Sequence, residues 1–272
     1  MSRTAEMART GTAERLYCMC GGFLTFDQSV FTHMQGMGTP VEVPTLMFLV
    51  QHTSGLVLFE TGLHPALAVD PVGHWGARAQ ERRPRMQPEQ AVDRQLAGIG
   101  VRPDDIRYVV LSCLLPDHAG GMQALPRARF IVQFQELQDA WWPDRRYIAS
   151  YDFRELLPTR DFDYWQLHGE DLDIFGDGAV RVLSCPAHTR GEQALVVRLA
   201  NTGTVVMPAG VIPQRANLER GVMTGTPRVA PETVWASMTR LRRIVDDEHA
   251  MVIFHHDPEQ WKTLRMLPEA YD

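Results

Sequence analysis

The sequence predicts a layered α/β fold. Short apolar runs rich in Val, Ile, Leu and Phe, typical of buried strands, alternate with segments of helical periodicity along the 272 residues. Several of these runs end abruptly in loops that carry thiol, carboxylate or imidazole side chains, where α/β enzymes tend to place their chemistry. The chain is long enough for a substantial core, and no repeat or linker divides it. We therefore expect one domain, residues 1–272, with 1–15 as a flexible polar tail.

The first half of the chain predicts an antiparallel meander followed by a helix and a central strand. Strands are expected at 17–26, 41–52, 56–59 and 107–111. Pro65, Pro71 and Gly73 make residues 64–76 an expected irregular loop. Residues 86–98 predict a helix, because Pro88 stands near the first turn and apolar residues recur at helical spacing.

The second half continues the alternation of strands and helices. Strands are expected at 130–132, 179–184, 193–199, 204–207 and 250–254, and helices at 134–140 and 231–245. Residues 141–162 are aromatic and interrupted by proline, which predicts a lid or insertion over a pocket.

Composition excludes several classes of function. The net charge of −6 gives no electrostatic reason to expect nucleic acid or an anionic membrane as a partner. No apolar window is long enough for a transmembrane helix, and the N-terminus lacks the apolar core of a secretory signal. Four irregularly spaced cysteines predict no disulfide framework, so we expect a reducing, cytoplasmic setting.

Polar side chains with metal-binding or catalytic chemistry follow three predicted strands. Cys113, Asp117 and His118 follow the central strand, His188 follows 179–184, and His255 with His256 follow the last strand. Loops at strand ends converge in layered α/β folds, so we expect one site built from these separated loops.

The loop after the central strand resembles the metal-binding signature of the metallo-β-lactamase superfamily, His-x-His-x-Asp-His followed by Ala-Gly-Gly. Asp117 and His118 match, whereas Cys113 and Leu115 stand at the first two histidine positions. Three further segments resemble superfamily elements in the right order, namely Phe-Glu-Thr-Gly at 59–62, Cys-Pro-Ala-His-Thr-Arg-Gly at 185–191 and Phe-His-His-Asp-Pro at 254–258. The resemblance implies a four-layer αββα sandwich, and it is greatest to the acyl-homoserine lactonase branch of quorum-quenching enzymes.

Members of this family typically hold two metal ions that share a hydroxide. By resemblance, the first ion would be bound by Cys113, Leu115 and His188. The second would be bound by Asp117, His118 and His256, with His256 rather than His255 at the metal position. The bridging aspartate falls at Ala209, and a tyrosine of the lactonases falls at Ile212. The resemblance therefore implies a depleted metal centre.

The remaining residues still form a legitimate site for one metal ion. Asp117, His118 and His256 would suit zinc with an open position for water, or ferrous iron as a facial triad. His188 is a candidate both for the ligand set and for handling a proton or a substrate oxygen. We expect a hydrolase acting on a lactone, ester or thioester of a small apolar molecule, with Asp117 and His188 in catalysis.

Two alternatives remain open from the sequence. In one, no metal is bound and Cys113 is a nucleophile paired with a histidine that Asp117 orients; against this, Cys113 could simply fill the space of a lost ligand. In the other, Leu115 and Ala209 make the former metal cavity apolar, and the pocket binds a hydrophobic molecule or guides a non-hydrolytic rearrangement. Glu60 either hydrogen-bonds to a ligand histidine or caps a loop. A homodimer is left open.

Overall fold

Two β-sheets form the centre of the computed structural model, which describes residues 11–272. The first sheet contains, in spatial order, β1 (Arg15–Asp27), β2 (Pro40–His52), β3 (Gly55–Phe59), β4 (Ile106–Val110), β5 (Arg129–Gln133) and β6 (Asp163–Leu167). β1 to β3 pair antiparallel as a meander, and β3 to β6 pair parallel.

The second sheet is mostly antiparallel. It contains β7 (Leu172–Asp173), β8 (Val180–Ser184), β9 (Gln193–Leu199), β10 (Gly203–Met207) and β11 (Met251–Val252), in the spatial order β11-β10-β9-β8-β7. Only the β10–β11 pair within this described sheet is parallel. The last strand is shorter than the predicted 250–254, because just two residues pair with β10.

Helices cover the outer faces of the sheets. They are α1 (Pro71–Trp75), α2 (Ala77–Arg82), α3 (Val92–Gly98), α4 (Pro116–Ala119), α5 (Phe134–Trp141), α6 (Phe153–Leu156), α7 (Arg215–Arg220) and α8 (Pro231–Asp247), with short 3-10 turns between them. None of the helices in the described chain is both long and apolar enough to cross a bilayer.

Two local predictions were wrong. The stretch 64–76 is not irregular, because Pro71 opens α1 and the Asp70 carboxylate caps it by accepting the Gly73 N–H at 2.8 Å. The predicted helix at 86–98 is divided: residues 88–90 form a 3-10 turn, and the α-helix begins at Val92 after an extended Ala91.

The core is layered because strand side chains alternate between faces. Phe59 and Val110 point towards the other sheet, where they pack in one cluster with Met207. Their neighbours Leu58 and Val109 point to the opposite face, into a cluster covered by α3 and α5. A third cluster packs α8 on the second sheet. Each fully buried side chain of this kind contributes about 1.5–3 kcal/mol. The predicted four-layer αββα sandwich is confirmed.

The N-terminal tail was predicted for residues 1–15, of which 1–10 lie outside the described residues. Residues 11–15 differ from the prediction. Ala13 is 1% exposed, its N–H donates to the Arg198 carbonyl, and it bridges to Leu199, while β1 begins at Arg15. The segment is ordered because its backbone bonds to the C-terminal end of β9 in the second sheet. That the whole chain forms one domain stays a prediction.

Candidate metal centre

Asp117, His118 and His256 form the one group of three or more metal-binding side chains in residues 11–272. One ligand atom from each lies within 4.8 Å of the others. The Asp117 Oδ2 atom is 3.6 Å from Nε2 of His118 and 3.7 Å from Nε2 of His256. A two-histidine, one-carboxylate arrangement at this spacing can surround a single divalent cation.

The ring orientations of both histidines fit that use. Nδ1 of His256 lies 3.0 Å from the Pro44 carbonyl oxygen. Because a carbonyl oxygen can only accept, this Nδ1 carries the ring hydrogen and donates it. Nδ1 of His118 lies 3.3 Å from both Oε1 of Glu60 and Oγ of Ser112. With the Nδ1 atoms engaged, the Nε2 lone pairs remain for a metal ion. Glu60 therefore contacts a candidate ligand histidine, which is one of the two roles that the sequence predicts for it.

The backbone of the ligand loop is fixed by Thr61, which follows β3. The Thr61 N–H and Oγ1–H donate to the His118 carbonyl at 2.7 and 3.0 Å, and Thr61 Oγ1 accepts the Gly121 N–H at 3.1 Å. A Cβ on Gly121 would lie 2.4 Å from the Thr61 carbonyl oxygen. The glycine after the ligands is therefore required for close approach of the two loops.

The charges of the cluster stabilise one another. Burial alone would raise the pKa of the Asp117 carboxyl, but His118 and His256 hold it below its ordinary value. Burial opposes a charged His118, yet the Asp117 and Glu60 carboxylates raise its pKa to about 10, whereas burial lowers the pKa of His256 to about 4. A cation at Nε2 of His118 would replace a proton, so metal binding is expected to release it.

His188 lies beside this group but does not join it. It lines the same cavity as Asp117, and its Nδ1 is buried with no hydrogen-bond partner among the described residues. Burial, and next the positive charge of Arg228, lower the pKa of His188 to about 4. The ring is therefore neutral at pH 7, with a hydrogen bond to the Gly225 backbone and a side chain that lines the cavity.

The structure gives Cys113 no feature of a nucleophile. The residue is 1% exposed within the helix-facing core cluster, and no hydrogen bond joins its thiol to a histidine in the described part of the chain. Burial, and next the carboxyl of Glu136, raise the pKa of the thiol well above its ordinary value. The catalytic assignment of Cys113 stays a prediction, and this packing as a small core residue does not support it.

Leu115, Ala209 and Ile212 offer no ligand atoms at the positions where the resemblance implies ligands and a tyrosine. Leu115 is buried and lines the cavity. Ala209 is buried in the cluster between the two sheets, and Ile212 in the cluster under α8. Ala209 has a φ of 49°, in the left-handed region that alanine rarely adopts.

His255 lies beside the three-residue group but is not part of it. Its ring centre lies 6.1 Å from the His118 ring, 5.1 Å from the Phe48 ring and 5.3 Å from the Phe59 ring. Neither ring nitrogen has a hydrogen-bond partner within residues 11–272, and burial holds its pKa well below its ordinary value. The group thus contains His256 rather than His255, as the resemblance implies.

Several polar residues at the site had no role in the sequence analysis. Glu136 is fully buried and accepts the Leu114 N–H at 2.9 Å and the Tyr151 hydroxyl at 3.2 Å. Glu192 accepts the His188 N–H at 2.7 Å, and burial raises its pKa to about 8. For Glu192, the sequence offered one signal: a glutamate stands directly before the apolar strand β9, where a charged side chain has little access to solvent.

A cavity of about 640 Å³ opens beside the cluster. Its walls include the apolar side chains of Leu24, Phe26, Trp75 and Leu115. They also include four arginines, Arg78, Arg82, Arg154 and Arg228. Tyr147 and Asp152, from the predicted lid at 141–162, contribute to the same wall. The prediction of an apolar cavity is therefore incomplete, because charged groups line much of it.

The fold and this geometry agree with the comparisons to known families. The family described as "Metallo-beta-lactamase superfamily" matches residues 40–256, which include β2 to β11 and every residue of the cluster. The chain belongs to the metallo-β-lactamase superfamily. The predicted resemblance to that superfamily is confirmed.

Within the superfamily, similar proteins are named as lactonases. The chain is 30% identical over 266 residues to "N-acyl homoserine lactonase AttM" of Azorhizobium caulinodans, covering 95% of this chain and 98% of that protein. It is 28% identical over 260 residues to "N-acyl homoserine lactonase" of Bacillus thuringiensis, covering 95% and 99%. A solved N-acyl homoserine lactone hydrolase with N-hexanoyl-L-homoserine bound at its catalytic metal centre superimposes with a TM-score of 0.84 at 27% identity, covering 96% and 100%.

Proposed function

We propose that this chain is a metal-dependent hydrolase that opens lactones or cleaves related esters, using one divalent cation held by Asp117, His118 and His256. The observation that carries the proposal is the convergence of two Nε2 atoms on one Asp117 oxygen, at 3.6 and 3.7 Å, with both Nδ1 atoms already engaged. Full-length similarity to proteins named as acyl-homoserine lactonases supports the substrate class. Zinc suits the donor set best.

The proposed mechanism assigns separate tasks to the protein residues. When bound, the cation would polarise the acyl oxygen and acidify a water. Asp117 keeps a negative charge at the site because its pKa is lowered. Glu60 and the Pro44 carbonyl hold the two imidazole rings in place. The neutral His188 ring faces the cavity and can hydrogen-bond to a substrate oxygen or to the attacking water.

The substituted positions favour one ion over two. Cys113, Leu115 and Ala209 stand where the family has ligands, and Leu115 and Ala209 have no lone pair to offer. Cys113 would need to lose a proton whose pKa burial raises. A single ion is therefore part of the proposal.

The test combines metal analysis with a ring-opening assay. We expect the zinc-loaded protein to hold close to one ion per chain and to hydrolyse N-hexanoyl homoserine lactone, followed with a pH indicator. Chelation, Asp117→Asn and His256→Ala should each remove the ion and the activity. His52→Gln is the matched control, since His52 also pairs with a carboxylate, Asp177 at 3.0 Å, away from the cluster.

Three results would contradict the proposal. Activity that survives chelation would exclude a metal-dependent mechanism, and two ions per chain would exclude the single-ion centre. A protein without metal or hydrolysis that still binds an apolar molecule would be the ligand-binding descendant of the fold.

A further inference from the structure

We propose that Arg228 recognises an anionic group on the substrate, so that this chain prefers lactones or esters that carry a carboxylate away from the scissile carbonyl. The inference rests on the proposed function for the position of the reacting bond. Arg228 lines the same cavity as Asp117 and His188, its charge lowers the pKa of His188, and its backbone N–H donates to the carbonyl of Ala187 at 3.3 Å. The guanidinium therefore belongs to the immediate surroundings of the candidate metal centre.

The charge of Arg228 has no counter-ion in residues 11–272. Its one side-chain hydrogen bond goes from Nη1 to the Tyr151 hydroxyl at 3.1 Å, and that hydroxyl donates in turn to Glu136. A guanidinium has more N–H donors than this bond uses. Glu136 interacts with this charge only at longer range, through the Tyr151 hydroxyl, and no carboxylate forms an ion pair with it in the described residues. A half-buried cation without a direct ion-pair partner favours an incoming anion.

Other arginines of the cavity are in a different situation. Arg78 and Arg154 share the carboxylate of Asp152, at 3.2 and 2.7 Å. Arg82 also lacks a carboxylate partner in the described chain, but its guanidinium lies over the Phe26 ring and no contact links it to His188. Arg228 therefore combines the absence of an ion pair within residues 11–272 with an electrostatic effect on His188.

Two tyrosine rings hold the guanidinium in position. Its central carbon lies 4.7 Å from the Tyr147 ring centre and 5.2 Å from the Tyr151 ring centre. Stacking of this kind leaves the in-plane N–H groups free, and a planar guanidinium matches a carboxylate through two parallel hydrogen bonds. Lysine would provide the charge without this fork or the stacking.

The kinetic test compares two esters of equal chain length with the zinc-loaded enzyme, p-nitrophenyl valerate and the mono-p-nitrophenyl ester of glutarate. We expect kcat/KM to be about 10- to 100-fold higher for the glutarate ester. Arg228→Met should abolish the preference by lowering only the glutarate value, and Arg228→Lys should retain part of it. Arg146→Met is the matched control, because Arg146 stacks on the same Tyr147 ring but pairs with Asp144.

A binding measurement keeps this inference separate from the proposed function. Calorimetry with glutarate and valerate should show tighter binding of glutarate to the wild-type holoprotein and no difference for Arg228→Met. If neither ester is hydrolysed, the proposed function fails while this comparison still decides the role of Arg228. Equal binding of the two acids would overturn the inference. So would an Arg228→Met variant that folds, by circular dichroism, and loses kcat equally for both esters, since the guanidinium would then act on the reacting carbonyl.

Discussion

The Oε1 atom of Glu60 lies 3.3 Å from Nδ1 of His118 and also accepts the Ser112 N–H at 3.2 Å. Glu60 is fully buried and has a φ of 67°, so its backbone turns sharply where β3 ends. Its second oxygen, Oε2, has no hydrogen-bond partner in the described chain. A buried carboxylate in this position fixes the ring of a candidate ligand and raises the basicity of its other nitrogen.

The first prediction concerns this contact. Glu60→Gln should weaken zinc binding about 10- to 100-fold, because an amide polarises the His118 ring less than a carboxylate does. Competition with a chromophoric chelator measures the change. Glu155→Gln is the control, since Glu155 is also buried and contacts a histidine, His74 at 2.9 Å, outside the metal centre. Equal losses of affinity in both variants would show a general effect of removing a buried charge.

The second prediction concerns the tight approach of two loops. Gly121→Ala should destabilise the protein by about 1–3 kcal/mol and lower its metal affinity, because the new methyl would meet the Thr61 carbonyl at 2.4 Å. Gly98→Ala, where a Cβ meets nothing within 4 Å, should be neutral or stabilising by about 0.4–1 kcal/mol. Denaturant unfolding distinguishes the two; a stable Gly121→Ala variant with normal zinc binding would contradict the loop-packing argument.

The third prediction concerns the buried thiol. Cys113→Ala should keep activity within about threefold of wild type, whereas removal of a true nucleophile costs on the order of 10⁶ in kcat. The expectation follows from the raised pKa of Cys113 and its lack of a histidine partner in residues 11–272. Steady-state kinetics on the zinc-loaded protein provides the measurement. A collapse of kcat with unchanged zinc content would restore thiol catalysis as a mechanism.

The fourth prediction concerns pH. Burial raises the pKa of Glu192 from 4.5 to about 8, so between these values the folded protein holds a proton that the unfolded chain releases. In the metal-free protein, Glu192 should therefore contribute stability, on the order of a few kcal/mol, that is lost as pH rises from 4.5 to 8. Because the buried histidines of the site also titrate in this range, the measurement is the difference between wild type and Glu192→Gln. Urea unfolding at pH 5.5 and 8.5 should show that wild type loses more stability over this interval than the variant does.

Glu248→Gln serves as the control of opposite sign. Despite partial burial, hydrogen bonds from Arg181 and Thr204 lower the pKa of Glu248, so its contribution is lost only as pH falls below its ordinary range. Between pH 5.5 and 8.5 its effect should be constant. An identical change in stability between the two pH values in wild type and Glu192→Gln would contradict the prediction.

Much of the fold could be predicted from the sequence, because apolar strand runs that alternate with helical segments and end in polar loops give strong local signals. The run before Ser112 and the hairpin around Gly203 both appear as predicted. The loop at 64–76 was misjudged because Pro71 was taken as a helix breaker, although proline at the first helical position with a capping aspartate before it starts a helix. The packing of Ala13 could not be predicted, because it depends on a sheet edge formed far along the chain.

Part of the candidate site could also be predicted from the sequence, but for a different reason. Asp117, His118 and His256 occupy motif positions, so their sequence alone suggested that they meet. Glu136, Glu192 and Arg228 belong to no such motif, and their importance comes from burial or from a missing partner. Burial and the presence of a partner depend on tertiary packing, which cannot be derived from composition and residue spacing.

The backbone at Ala209 bears on which side chains this position accepts. Alanine in the left-handed region is strained at φ 49°, whereas aspartate tolerates this conformation better. The loop after β10 therefore has a backbone conformation that favours a short polar side chain over the methyl group of alanine. An Ala209→Asp variant would meet no added backbone strain, so the cost of placing a carboxylate here would come from its burial.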